Sequence, residues 1–578
     1  MTTRSAAWWA RQRGGFVEQA SLLAWALLAG TLGAAPALLF RWAANALPAL
    51  SWPPAEDLVA AVARAPVAWR LLVPAAGLAL AGLVLVAGER WAGLGKGWDI
   101  LEAVRLKDGV LPLRATLVRA ASSLVTVVSA GPVGREGAIV LLPAAVTSAL
   151  GRRARLPTRR LRVAVGCGAA AGLACAYNAP IGAALFTMEI IFGSFALEIF
   201  APLVVASAAA TLLAHHFFGA APLFAVPALE LSRAPEIAGV AVLGVLAGAL
   251  GAGFLWALRA ASAFWKRLGW PRPLAMAAAG LAVGVAVLRY PEIVGNGREA
   301  LLHLFASPIG AGTALALLLV RLVATPLTVG AGTVGGVFTP TMFLGAMLGT
   351  AFGWGLSALF PGGGVDPRTW ALVGMGALLA ATTHAPLTAA VMIFEMTLDY
   401  GVALPLLVGS GISALVATRL ASDSVYTEAL RRGGEEAPPA GAALRARDVM
   451  RNEQLAVSAE LELTQLVDRL LTARRNHAYV VDGSGRFLGA VSLHDAVRAA
   501  GESGQPARLR AGDLLDPRFE ATFPDEPLER VLQRLARQSC ERIPVLADRD
   551  SRRLTGTVSR RDILGLYARE LVSGGDRS

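Results

Sequence analysis

Ser129-Ala-Gly-Pro-Val-Gly-Arg-Glu-Gly137 places one acid, Glu136, in a glycine-rich turn between the apolar runs Ser122–Val128 and Ala138–Leu150. An acid at membrane depth is expensive and marks a functional position by default. Gly131, Gly134 and Gly137 let the chain turn sharply and let backbone N–H groups approach a ligand. The run that follows reads as a helix starting at this turn. Its unpaired N–H groups and positive dipole end suit an anion. Broken helices aimed at the membrane midplane are a transporter device. Taken alone, the stretch also reads as a structural loop with a solvated glutamate.

Two other stretches share the design. Gly332-Thr-Val-Gly-Gly-Val-Phe-Thr-Pro340 leads into the apolar run Thr341–Leu359, with Pro340 where a first helical turn tolerates a missing N–H. Gly93-Leu-Gly-Lys-Gly-Trp-Asp99 opens onto Ile100-Leu-Glu-Ala.

These stretches resemble the CLC family of chloride channels and proton-coupled chloride transporters. In that family GREGP carries a gating glutamate, GxFxP supplies backbone donors, and GSGIP supplies a serine to the central anion site. A tyrosine late in the membrane domain completes the site. Here Gly134-Arg-Glu-Gly137, Gly336-Val-Phe-Thr-Pro340 and Ser424-Val-Tyr426 match. The resemblance implies chloride or another small monovalent anion as partner, with Glu136 as gate. It places Gly134, Arg135, Gly137, Val337, Phe338 and Tyr426 around the anion, with Lys96 at the serine position. The fold it implies is an all-α polytopic membrane domain with an inverted internal repeat (residues 1–430), a linker (431–445) and an α/β cytoplasmic CBS pair (446–500 and 510–572). It also implies a homodimer in membrane lipid with one pathway per subunit, and a multi-pass protein of a bacterial inner membrane with both termini cytoplasmic.

Bulk properties point the same way. The 578 residues are 55% hydrophobic and 16% charged, with a mean hydropathy of +0.56. That is too apolar for a soluble chain of this length. A net charge of +12 could indicate nucleic acid. The arginines cluster between apolar spans, however, as in Gly151–Arg162, so positive-inside placement accounts for them and no nucleic-acid partner is expected. Three cysteines, Cys167, Cys175 and Cys540, make no disulfide framework. Residues 1–20, with Trp8, Trp9, Arg11 and Arg13, read as an interfacial helix rather than a cleaved signal. The histidines are scattered, and there is no metal-ligand cluster, nucleophile–base pair or phosphate loop, so an enzyme is not expected.

Apolar runs at Ser21–Leu39, Leu71–Ala87 and onward to Val402–Leu420 read as spans, several of them short enough to be re-entrant. Gly168–Pro180 with Glu189 repeats as Gly374–Pro386 with Glu395, at the same proline-to-glutamate spacing. Such duplication in a transporter puts the substrate at the interface of inverted halves. Glu189 and Glu395 read as caps or pair partners, and Arg321 as neutralising an acid or a helix end.

Beyond the linker a second repeat appears, with G-x-x-S-x-x-D endings at Asp495 and Asp562, 67 residues apart. It resembles a pair of CBS domains. There Asp495 and Asp562 would hold a ribose and Ser492 and Ser559 a phosphate, making an adenine nucleotide the one possible cofactor. Helix capping is the alternative role.

Three departures from the family pattern matter. Lys96 would put an ammonium beside the anion, where attraction at 4 Å is about 4 kcal/mol at an effective dielectric of 20. It could instead snorkel to the interface or pair with Glu136 or Asp99. Family antiporters often carry a proton-route glutamate directly after the position of Glu189, and here it is Ile190. The proline of GREGP is Ala138. The expected function is glutamate-gated chloride transport, proton-linked or loosely coupled. Alternatives are a passive channel regulated through the CBS pair, or a nucleotide sensor with a blocked pathway.

Overall fold

Within a bilayer the backbone must satisfy its own hydrogen bonds, so the apolar runs close as helices. The computed structural model describes residues 3–92, 100–105, 108–224, 226, 234–361, 365–432, 445–452, 454–473, 475–502, 509–537, 540–559 and 562–563. The chain forms two units, Met1–Gly434 and Glu435–Ser578.

The first unit is helical. In order it comprises α1 (Thr3–Ala46), α2 (Leu58–Arg64), α3 (Val67–Ala92), α4 (Ile100–Arg105), α5 (Leu113–Val128), α6 (Glu136–Arg153), α7 (Thr158–Tyr177), α8 (Pro180–Phe186) and α9 (Leu197–Phe218). Then come α10 (Ala234–Leu268), α11 (Arg272–Arg289), α12 (Arg298–Ala306), α13 (Ala311–Gly330), α14 (Phe338–Leu359), α15 (Pro367–Thr383), α16 (Pro386–Thr397), α17 (Ala403–Leu420) and α18 (Val425–Arg432). Among the described residues, eight helices are long and apolar enough to cross a membrane. One boundary differs from the sequence reading. The expected interfacial helix at 1–20 and the first span are a single helix, α1, which runs on through Gly14-Gly15 without a break.

The internal repeat is reproduced in backbone detail. Helix α7 ends at Asn178 (φ 57°, ψ 36°) and α15 at His384 (φ 56°, ψ 33°), both left-handed. Next come Ala179 (φ −130°, ψ 79°) and Ala385 (φ −130°, ψ 77°), and each following helix opens on proline. The halves are joined reciprocally. Glu189 accepts from the N–H (2.8 Å) and hydroxyl (2.7 Å) of Thr388 at the start of α16. Glu395 accepts from the N–H groups of Ile181 (3.0 Å) and Gly182 (2.6 Å) at the start of α8. Each acid thus caps the equivalent helix of the opposite half, where it also meets the positive dipole end. Helices α14 and α15 approach until a Cβ on Gly345 would collide with the carbonyl of Gly374, and the reverse, as small residues permit in membrane bundles.

The second unit contains β1 (Ala456–Ser458), β2 (His477–Val481), β3 (Phe487–Ser492), β4 (Arg542–Leu546) and β5 (Leu554–Ser559). Strands β2 and β3 pair antiparallel, as do β4 and β5, and both pairs carry a register shift one residue before the first strand ends. The duplication read from the G-x-x-S-x-x-D endings is therefore structural.

The reciprocal caps carry a stability prediction. Glu189→Ala or Glu395→Ala leaves two N–H or O–H donors at a partly buried helix start without acceptor. Each should destabilise the membrane unit by about 1–3 kcal/mol, read as a lower midpoint in thermal unfolding of the detergent-solubilised protein. An unchanged midpoint would refute the capping role.

Candidate functional site

Helix α5 ends at Val128, and Ala130 turns the chain with φ 67°. The N–H of Gly131 returns to the Thr126 carbonyl (2.9 Å), and the Thr325 hydroxyl fixes the Pro132 carbonyl (2.9 Å). The two glycine-rich turns then meet. Gly134 N–H donates to the Gly336 carbonyl (2.6 Å), and Gly336 N–H donates to that of Gly134 (2.7 Å). A Cβ on Gly336 would lie 2.5 Å from Glu136 Oε2, so a side chain there would collide with the acid. The bridge sets the first residue of α6, Glu136, beside the start of α14 at Phe338. Two positive helix ends converge on one carboxylate.

Glu136 is 4% exposed. Its Oε1 accepts from the Tyr177 hydroxyl (2.6 Å), the Thr339 N–H (3.3 Å) and the Thr339 hydroxyl. Its Oε2 has no hydrogen-bond partner among the described residues. A buried carboxylate normally recruits donors to both oxygens; here one oxygen is held by donors and the other, packed against Gly134 and Gly336, is left without one among the described residues.

Two cavities meet at this residue. One, of about 460 Å³, is lined by Gly137, Phe186, Val337, Phe338, Tyr426 and others. The second, about 10 Å³, enough for roughly one water, is lined by Arg135, Tyr177, Asn296, Arg298 and Thr339 among others. Among the described residues lining them, Glu136 alone borders both.

The larger cavity has an aromatic wall. The Phe186 and Phe338 ring centroids lie 6.0 Å apart and those of Phe186 and Tyr426 5.6 Å, while Phe338 packs at 5.3 Å on Tyr177 of the smaller cavity. Tyr426 is placed by a local cap. Ser424 N–H donates to the Thr427 hydroxyl oxygen (2.8 Å) and Thr427 N–H to that of Ser424 (3.2 Å), starting α18. Arg259 ties this corner through Glu428 (3.1 Å) and Asp423 (3.5 Å). The N–H groups of Val337 and Phe338 have no backbone acceptor among the described residues, which leaves them available to a bound anion.

The expected residues divide as follows. Glu136, Gly137, Val337, Phe338 and Tyr426 line the larger cavity together. Gly134 serves as the bridge. Arg135 turns to the smaller cavity and donates to Asn45 Oδ1 (3.1 Å). Lys96 and Asp99 lie outside the described residues. Arg321 is fully buried and donates to the carbonyls of Ile293 (3.1 Å) and Gly295 (2.9 Å), with its guanidinium 4.5 Å from the Phe343 ring centroid. Carbonyl oxygens at the end of a short helical turn receive it, with no acid in hydrogen-bond contact among the described residues. In the second unit, Ser492 Oγ accepts from the Asp495 N–H (3.0 Å) and Ser559 Oγ from the Asp562 N–H (2.9 Å), the capping arrangement. Asp562 also pairs with Arg451 at 2.8 Å.

Tyr177 and Thr339 were not among the expected site residues. A signal existed for each: a hydroxyl closing an apolar helix needs a buried partner, and Thr339 sits inside the Gly336–Pro340 motif.

The voltage gated chloride channel family profile matches residues 76–418. A chloride channel protein described as ClcB-like from Ralstonia nicotianae is 41% identical over 429 residues, covering 72% of this chain and 99% of that protein. The chain belongs to the CLC family of voltage gated chloride channels. Among CLC relatives, the voltage-gated ClC-type chloride channel ClcB of Escherichia coli is 34% identical across 62% of this chain and 86% of its own. A slow cyanobacterial Cl⁻/H⁺ antiporter structure aligns with TM-score 0.64 at 25% identity, over 72% of this chain and 98% of that one. A eukaryotic CLC transporter shares the fold across 95% of this chain and 98% of its own, with TM-score 0.61 at 19% identity. CBS domains match residues 446–502 and 511–569. This CLC chain is a multi-pass membrane protein whose candidate site lies where the two halves meet.

The glycine bridge yields a prediction. Gly336→Ala should displace the Glu136 carboxylate from its seat. A structure of the variant checks it, and an unmoved carboxylate would mean that the backbone yields instead.

Proposed function

We propose that this protein conducts chloride through the larger cavity past Glu136, which acts as a tethered, titratable gate, and that transport is loosely linked to protons. The observation that carries this is a buried carboxylate forming the partition between two cavities at paired helix starts. Ionised, Glu136 occupies the place of an anion. Protonated, it loses the charge that holds it there. Chloride in its stead would meet the N–H groups of Val337 and Phe338 and the hydroxyl of Tyr426, donors enough to replace water without fixing a full opposite charge. We take the unit to work as a homodimer in a bacterial inner membrane with cytoplasmic termini.

Ile190 favours loose coupling or, as a second reading, a passive channel. It is buried and apolar, and its carbonyl accepts from Arg105 Nη2 (2.7 Å). It cannot relay a proton. In liposomes, the reversal potential under a proton gradient should shift, but by less than strict exchange requires; no shift supports the passive channel. Glu136→Gln, which cannot ionise, should level the dependence of flux on pH. A parent-like pH dependence in that variant would refute the gate. Lys96→Ser should alter flux or anion ranking, and an unchanged ranking and rate would remove Lys96 from the pathway.

An adenine nucleotide at the CBS pair is a further part of this reading. A hollow of about 40 Å³ is lined by Arg475, Asn476, His477, Tyr479, Glu541 and Arg542, among others. The registers His477↔Ser492 and Arg542↔Ser559 bring both serines to the same strand ends. Burial holds the His477 imidazole below its ordinary range, against the opposing pull of Asp495 and Glu541. His477 is therefore neutral at pH 7, and the arginines would carry the phosphate. AMP or ATP affinity, measured by calorimetry on the full chain at pH 7, should weaken in Arg542→Ala. No heat of binding with either nucleotide would remove it.

A further inference from the structure

We propose that Tyr177 and Thr339 form a latch that holds the Glu136 carboxylate in the closed position, and so set how acidic the medium must be before the pathway opens. The proposal rests on the gate reading of Glu136 and adds the group that opposes its release.

The geometry is one-sided. Three donors, the Tyr177 hydroxyl and the N–H and hydroxyl of Thr339, converge on Oε1. Oε2 meets none among the described residues. The Tyr177 and Thr339 oxygens are themselves 2.6 Å apart; with both hydroxyl protons on Oε1, this contact adds no further hydrogen bond. The donors come from both halves: Tyr177 ends α7 of the first, and Thr339 stands in the first turn of α14 of the second. Hydrogen bonds to an ionised acceptor are about twice as strong as neutral ones. The latch therefore grips the charged carboxylate and loosens when Oε2, whose lone pairs face no donor, takes a proton. Oε1 remains an acceptor after that step, but only of neutral hydrogen bonds. The grip and the trigger thus sit on different atoms of one side chain.

Other charged or titratable groups surround the acid. Arg135 precedes it on the same turn. Arg298 of α12 lines the smaller cavity with it, and Tyr426 of α18 the larger one. Arg321 of α13 is fully buried within Coulomb range of it. None of these makes a hydrogen bond to the carboxylate among those described, so the variants below leave their fields in place.

Tyr177→Phe deletes one donor and keeps the ring against Phe338. Thr339→Val deletes the other hydroxyl and keeps the shape. Each should move the midpoint of the chloride flux–pH curve upward by about one unit, the size expected for one charge-assisted hydrogen bond. The measurement is chloride efflux from liposomes holding the full-length protein, from pH 4.5 to 8. Neither variant should change the flux–pH curve further in a Glu136→Gln background. Unmoved midpoints, or midpoints moved to lower pH, would overturn the latch while Glu136→Gln still levels the curve. A shift that persists in the Glu136→Gln background would overturn it too, since the hydroxyl would then act elsewhere. Retained pH dependence in Glu136→Gln alone would bring down the gate reading, and the latch with it. Thr339→Val carries the test should Tyr177→Phe fail to assemble.

Discussion

A buried carboxylate needs hydrogen-bond donors, and those that reach Glu136 Oε1 belong to parts of the chain far apart in sequence. Their convergence depends on a two-bond contact between the backbones of Gly134 and Gly336. That contact draws the starts of α6 and α14 together, and both glycines also border the carboxylate itself. The small residues of the two turns therefore act twice, once in joining the halves and once in leaving room for the acid. Everything proposed about ion passage is built on that junction.

Much of this was legible in the chain. The break between α5 and α6 follows from glycines and one acid inside an apolar run, a purely local pattern. The repeat was visible in the shared spacing of Ala-Pro and glutamate, and of the two roles read for Glu189 and Glu395, caps or pair partners, the helix starts show the first. What stayed hidden is what depends on distance along the chain. Tyr177 meets Thr339 across 162 positions, and nothing near either residue names the other. Arg321 was read as the partner of an acid or a helix end because a buried cation calls for compensation. A helix end supplies it: the carbonyls of Ile293 and Gly295 at the close of a short helical turn receive the guanidinium, beside the Phe343 ring. Ser492, Asp495, Ser559 and Asp562 carry a motif compatible with both ligand binding and capping, and sequence alone does not separate the two.

The position where family antiporters often hold a proton-route glutamate gains a structural context here. The carbonyls of Ile190 and Ile191 accept from Arg105 (2.7 and 2.9 Å), at the last residue of α4. Helix α4 follows directly on the stretch that contains Lys96.

The reciprocal caps of Glu189 and Glu395 have a consequence for biogenesis. As the polypeptide leaves the ribosome, α8 is complete long before the acid that satisfies its first turn has been synthesised. Until Glu395 arrives, the amino-terminal portion holds exposed peptide dipoles inside the bilayer, and Glu189 waits with no helix to cap. Neither portion is a finished object, and insertion reaches its final energy only when translation of the second is almost over. A gene cut between the two would leave each fragment dependent on the other for burial of its own polar ends.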